Sequence, residues 1–145
     1  MTLSTRDALK QTALITDDER YVLVKLPAAA ITLGAGVLAE VGSPFSAIIV
    51  DKDEVTLIVP DEAVEEFEKR LKGVAEVSAS GYRLITFDIV LPPDLVGFMA
   101  AISAACARAG VSIIPLGAFS RDHILVGEAQ FDLAMDALKT LIEQA

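Results

Sequence analysis

The chain of 145 residues has no tryptophan, one cysteine and one histidine. A single cysteine, Cys106, excludes an internal disulfide. One Cys with one His, His123, falls short of the donor set of a zinc site. No metal and no cofactor are therefore expected. Basic residues are also few, with 12 Lys and Arg against 21 Asp and Glu and a net charge of −9. Nucleic acid and anionic membrane surfaces are bound through clusters of Lys and Arg, and the sequence has none, so neither is an expected partner. The opening MTLSTRDALK lacks a basic stretch followed by an apolar run, so it does not read as a signal peptide. The longest apolar stretch, residues 95–107, is shorter than the roughly 20 residues that cross a bilayer. The expectation is a soluble, cytoplasmic protein.

Catalytic constellations are missing as well. Cys106 stands on an apolar helical face, the usual place of a small inert core residue. No third group completes a triad with Cys106 or His123, and no paired carboxylates or phosphate-binding loop occur, so the chain is not expected to be an enzyme.

What the sequence does have is apolar patterning. Hydrophobic residues make up 53% of the chain. Residues 1–20 read as a lead-in segment, with Ser4 and Asp7 capping a short helix through Ile15. The stretch YVLVKL (21–26) reads as a strand stopped by Pro27. Residues 28–42 are ambiguous, small and glycine-rich. FSAIIV (45–50) and EVTLIV (54–59) read as a hairpin, followed by a helix from Asp61 with Val64, Phe67 and Leu71 on one face. The order then recurs. YRLITFDIVL (82–91) alternates, placing Ile85, Phe87, Ile89 and Leu91 on one face. Asp94 reads as the N-cap of a helix to Arg108. A second hairpin turns at Ser120-Arg121-Asp122, and a last helix buries Phe131, Ala134, Leu138 and Leu141.

This internal repeat predicts an α+β fold: two tandem ferredoxin-like βαββαβ lobes, antiparallel sheets with helices on one face. The lobes are expected over 21–80, a degenerate copy without a clear crossover helix, and over 81–145. The hairpins align with Asp53 opposite Asp122. Apolar residues on both strand faces, among them Ile48, Val50, Leu84 and Val90, point to pairing of the lobes and to a homodimer.

Three short stretches bear on function. GAGVLA (34–39) matches a dinucleotide fingerprint, but seven residues separate it from the preceding strand and a tight hairpin follows. A glycine-rich loop packed against its neighbour is the better reading. In PPDLVGFMAAIS (92–103), Gly97 in a helical first turn costs about 1 kcal/mol relative to Ala. Either close packing on the sheet or approach of a ligand to helix N-terminal amides justifies it. Asp88, alone in an apolar strand, needs a donor such as Arg83 or His123, and an interface salt bridge is the favoured reading.

The stretches GAFSRDHILV and DLVGFMAAIS resemble tandem ACT-domain proteins, namely the small bacterial Atu0741-like type and the ACT modules of the cytosolic arginine sensor CASTOR. The resemblance covers about residues 20–142 and implies a regulatory, non-catalytic module. Such a module binds a small-molecule effector, usually an amino acid, and has further protein partners within reach. It implies that Asp94, Val96, Gly97 and Phe98 meet the ligand's backbone end, and that Ala118, Phe119 and Asp122 lie along the facing edge; His123, the last candidate site residue, is then either a neighbour that orients Asp122 or, the favoured role, a strand residue in the interface. Asp122 would bind an ammonium or guanidinium. Leu95 stands where the arginine sensor has an acidic residue, which speaks against arginine. The alternative is a ligand-free oligomerisation or adaptor protein.

Overall fold

The computed structural model describes residues 2–42 and 44–145. The chain divides into two compact units, one formed by Glu19–Tyr82 and the other by the stretch up to Asp18 together with Arg83–Ala145.

The Glu19–Tyr82 unit runs β2 (Tyr21–Pro27), α2 (Ile31–Glu40), β3 (Ala47–Val50), β4 (Glu54–Pro60), α3 (Asp61–Glu66), α4 (Glu68–Leu71) and β5 (Glu76–Val77). Its strand order is β3-β4-β2-β5, with each neighbouring pair antiparallel. Within the ambiguous residues 28–42, Ile31–Glu40 form a helix, so GAGVLA (34–39) is not a loop. Gly34 explains how that helix docks: a Cβ there would come within 3.2 Å of Leu57 and Val55 on β4. The crossover helix is thus present, unread in the sequence because close packing of small residues replaced a broad apolar stripe. The helix expected from Asp61 breaks at Phe67, whose ψ of 21° leaves the helical range, yet Ala63, Phe67 and Leu71 are buried together. Arg70 pairs with Glu40 at 2.7 Å.

The other unit begins with α1 (Thr5–Gln11) and β1 (Ala13–Thr16). It continues with β6 (Tyr82–Asp88), α5 (Phe98–Arg108), β7 (Ile113–Gly117), β8 (Asp122–Gly127) and α6 (Phe131–Glu143). Its strand order is β7-β8-β6-β1. The first helix stops at Gln11, four residues short of the expected end. Thr12 is buried with its hydroxyl on the Ala8 carbonyl at 2.6 Å, and Ala13–Thr16 pair antiparallel with Ile85–Asp88. The N-terminal stretch is therefore not a separate lead-in. It supplies an edge strand and, through Ala8 and Leu9, part of the core of Ile85, Phe87, Phe98, Ile102, Cys106, Ile124, Val126, Ala134 and Leu138. Cys106 is a buried core residue, and burial pushes its thiol pKa up, away from reactivity.

Asp88 takes Arg121 as its partner, at 2.9 Å, and not Arg83 or His123. The pair lies within one unit, which corrects the expected interface salt bridge. Arg83 instead donates to the Asp17 carbonyl and lies over the Phe131 ring.

Because α1 closes this core, Leu9→Ala is expected to cost about 2–5 kcal/mol, as for other buried leucines. Urea denaturation of the variant checks this. A loss below about 0.5 kcal/mol would mean that the N-terminal stretch is dispensable to the unit.

Candidate functional site

Strand β6 ends at Asp88, and the chain reaches α5 through Pro92-Pro93-Asp94. That segment closes a turn, with the Leu95 amide on the Pro92 carbonyl. Proline at these positions ends the strand and fixes the turn. The helix begins only at Phe98. Asp94 is consequently not its N-cap. That place belongs to Gly97, whose φ of +98° is a left-handed conformation natural to glycine. Gly97 thus lies before the helix and not inside it, and its conformation makes the bend into α5. The Gly97 carbonyl accepts from the Ala101 amide. With no side chain to cap them, the first-turn amides of Phe98, Met99 and Ala100 have no partner among the described residues. Thr5 of α1 buttresses the bend, donating its hydroxyl to the Val96 carbonyl at 2.6 Å.

The facing edge is the β7–β8 hairpin. Its loop, residues 118–121, closes through the Ala118 amide on the Arg121 carbonyl, and the Ser120 carbonyl accepts from the Leu91 amide. Asp122 is thus the first residue of β8, opposite Gly117, and not part of the turn. The β3–β4 hairpin closes in the same way, with the Asp51 amide on the Glu54 carbonyl. The residue facing Val50 there, at the place of Asp122, is the core residue Val55. Asp53 aligns with Ser120, which corrects the two-residue offset in the expected repeat. Asp53 pairs with Lys52, and the Asp51 side chain holds the turn through the Asp53 and Glu54 amides.

Between the 91–100 segment and the hairpin loop lies a cleft of about 410 Å³. Five of the eight expected site residues line it: Gly97, Phe98, Ala118, Phe119 and Asp122. Three do not. Asp94 is exposed in its turn. Val96 is exposed, with its carbonyl taken by Thr5. His123, as the next residue along an extended strand, belongs to the opposite face, where its Nδ1 lies 2.8 Å from the Thr86 hydroxyl. Sequence reasoning missed Leu91, Leu95, Met99 and Ser120 on the lining. The spacing of Leu95 and Met99, four residues apart, was the available signal.

Asp122 is the one charged side chain on this lining. Its carboxylate has no hydrogen-bond or ion-pair partner among the described residues, and burial raises its pKa above the ordinary value, offset in part by the charge of His123. Burial lowers the pKa of His123, offset in part by Asp122. No group of metal-binding residues is found among the described residues.

A carboxyl whose pKa rises on folding favours the protonated form. Its contribution is fully present below the unfolded value of about 3.9 and is lost as pH rises through the folded value. Asp122→Asn is therefore expected to stabilise the ligand-free protein at pH 7, with the gain vanishing below about pH 4. Urea denaturation at the two pH values checks this. A destabilised variant at pH 7 would show that the carboxylate is already satisfied in the fold.

Comparison with known proteins follows this geometry. Residues 77–140 match the model of the ACT domain family. No curated protein matches the sequence. Among solved structures, Atu0741 from Agrobacterium tumefaciens is similar over 90% of this chain and 89% of its own, at 20% identity and a TM-score of 0.70. VC0802 from Vibrio cholerae, described as a protein of unknown function and a possible transport protein, is similar over 92% of both chains, at 22% identity and a TM-score of 0.71. The ligand-free regulatory subunit of aspartate kinase from Thermus thermophilus is similar over 88% of this chain and 95% of its own, at 14% identity and a TM-score of 0.67. The chain is a mixed α+β protein with the ACT domain fold, and residues 77–140 carry that family's sequence pattern.

Proposed function

We propose that the chain is a pair of tandem ACT lobes acting as a non-catalytic regulatory module, with one effector site in the cleft beside α5. The effector is an amino acid. The observation that carries this reading is the pairing of two unmet polar features on one cleft: free amides at the α5 N-terminus, which welcome a carboxylate, and the unpartnered carboxylate of Asp122, which welcomes an ammonium. The regulatory role of the similar aspartate kinase subunit supports the same reading. So does the matching strand order of the two units, with β1 taking in one the place that β5 takes in the other. The Glu19–Tyr82 lobe, with Val55 where the other has Asp122, serves as structural partner. Neither a cofactor nor an active-site constellation enters this reading, and no helix among the described residues is long and apolar enough to cross a membrane. A homodimer working in the cytoplasm, relaying occupancy to a protein partner, completes it.

One observation favours a second reading. Phe119 and Val96, at the cleft mouth and beside it, are almost wholly exposed, as expected of an assembly surface in a ligand-free adaptor.

A thermal-shift screen of the full chain against the free amino acids separates the two. An effector at 100 times its Kd stabilises by about 2.7 kcal/mol, or roughly 5–10 °C for a chain of this size. A shift of that order, absent in Asp122→Ala, is the expected result. A uniformly silent screen with a persistent dimer would favour the adaptor.

A further inference from the structure

We infer that two copies of the chain pair about a two-fold axis through the groove between α5 and α6, with Arg108 of one copy on Asp136 of the other. The inference rests on the homodimer named above and adds its surface. It makes no use of the cleft at the other end of α5. Gln130 fixes the two helices to each other: its side chain donates to the Gly110 carbonyl at 2.9 Å and accepts from the Ser112 amide, so the end of α5 meets the start of α6. The groove that the helices leave on their outer side has a volume of about 410 Å³. Its sunken members, Ala105, Ala109, Ala137 and Leu141, are all carbon, whereas Leu133 beside them is 49% exposed. Small residues on one helix pair leave room for a leucine from another, as a knob enters a hole. Apart from Leu133, the exposed members of the lining are polar. An apolar middle with a polar rim is the anatomy of a protein–protein contact.

Charge identifies the occupant. The chain carries a net charge of −9, so two copies repel unless the faces they present are balanced. The lining of this groove holds one charge of each sign, Arg108 and Asp136. Both are exposed, and neither has a hydrogen-bond or ion-pair partner among the described residues. A two-fold axis demands a self-complementary surface, in which residue i meets residue j and j meets i. A face with one cation and one anion satisfies that demand with two crossed pairs. Exposed pairs of this kind contribute little net energy, and their weight lies in orienting the contact and rejecting wrong ones. The exposed Phe119 and Val96 have no such balance. Asp94 and Asp122, close to them in sequence, are both acidic, and Arg121 is held by Asp88 at 2.9 Å.

The test is sedimentation velocity of the full chain over a roughly hundredfold range of concentration, repeated on Arg108→Glu, Asp136→Arg and the double exchange. The unaltered chain is expected to dimerise. Each single change sets like charges across the axis and is expected to raise the dimer Kd at least tenfold. The double exchange restores opposite signs and is expected to return the Kd to within about threefold of the original. Net charge does not explain that pattern. Asp136→Arg moves the chain toward neutrality, which by itself favours association, and the double exchange leaves the net charge as it was. Circular dichroism confirms that each variant is folded. A dimer whose Kd ignores both single changes would place the contact elsewhere and overturn the inference, leaving the homodimer standing. Weakening that a folded double exchange does not reverse would overturn the pairing of Arg108 with Asp136. A chain monomeric at every concentration would remove the homodimer and the inference together.

Discussion

The antiparallel ladder between Ala13–Thr16 and Ile85–Asp88 is the constraint on which the unit bearing the site depends. Without it, β6 would have one flank bare along the residues that also carry the core side chains Ile85 and Phe87. An open edge of this kind is a template for pairing with another chain. The same excursion delivers α1 to the core through Ala8 and Leu9, and delivers Thr5 to the carbonyl of Val96. A segment separated by 64 residues from the next part of its unit thus covers a flank of β6, completes the core and braces the bend that precedes α5. Closing so long a loop costs only a logarithmic increment of entropy, which the ladder and the buried leucine offset.

Much of this architecture was legible because its signals are local. Alternation over 82–91, the β-branched runs of the first hairpin, and the stripe of Phe131, Ala134, Leu138 and Leu141 each specify an element without help from distant residues. The failures have a common physical origin in tertiary context. Residues 13–15 continue a capped helix by pattern, yet a waiting strand edge makes them β. Residues 31–40 lack a broad apolar stripe because Gly34 lets the helix lie close on Leu57 and Val55, and packing supplies what propensity does not. A sequence also cannot announce that a strand of one unit is drawn from before the other unit begins.

Five of the eight expected residues line the cleft and three do not, and the misplaced start of α5 traces to one shift. Reading Asp94 as the N-cap started α5 three residues early. That put Gly97 inside the helix, while the ligand-facing places of Asp94 and Val96 came from the family resemblance. The positive φ of Gly97 moves the start to Phe98, sends Asp94 to an exposed turn and commits Val96 to Thr5. At the facing edge, strand alternation decides. Asp122 and His123 are neighbours in sequence but lie on opposite faces of β8, so only Asp122 lines the cleft. The histidine belongs to a polar patch with Thr86, and the aspartate belongs to the cavity.

What distinguishes Asp122 from the other carboxylates of these hairpins is the lack of anything that satisfies it. Asp51 organises a turn, Asp53 has Lys52, and Asp88 has Arg121. Each of these is accounted for by the fold. Asp122 is partly desolvated, with a raised pKa and no donor among the described residues, so in the ligand-free chain its charge works against folding. At the equivalent place the other hairpin carries Val55, which shows that the hairpin itself needs no carboxylate there. A group that the architecture does not require, on the wall of a cleft, is the feature on which the proposed effector reading draws. A cation placed beside it would gain from the same desolvation that penalises the carboxylate alone.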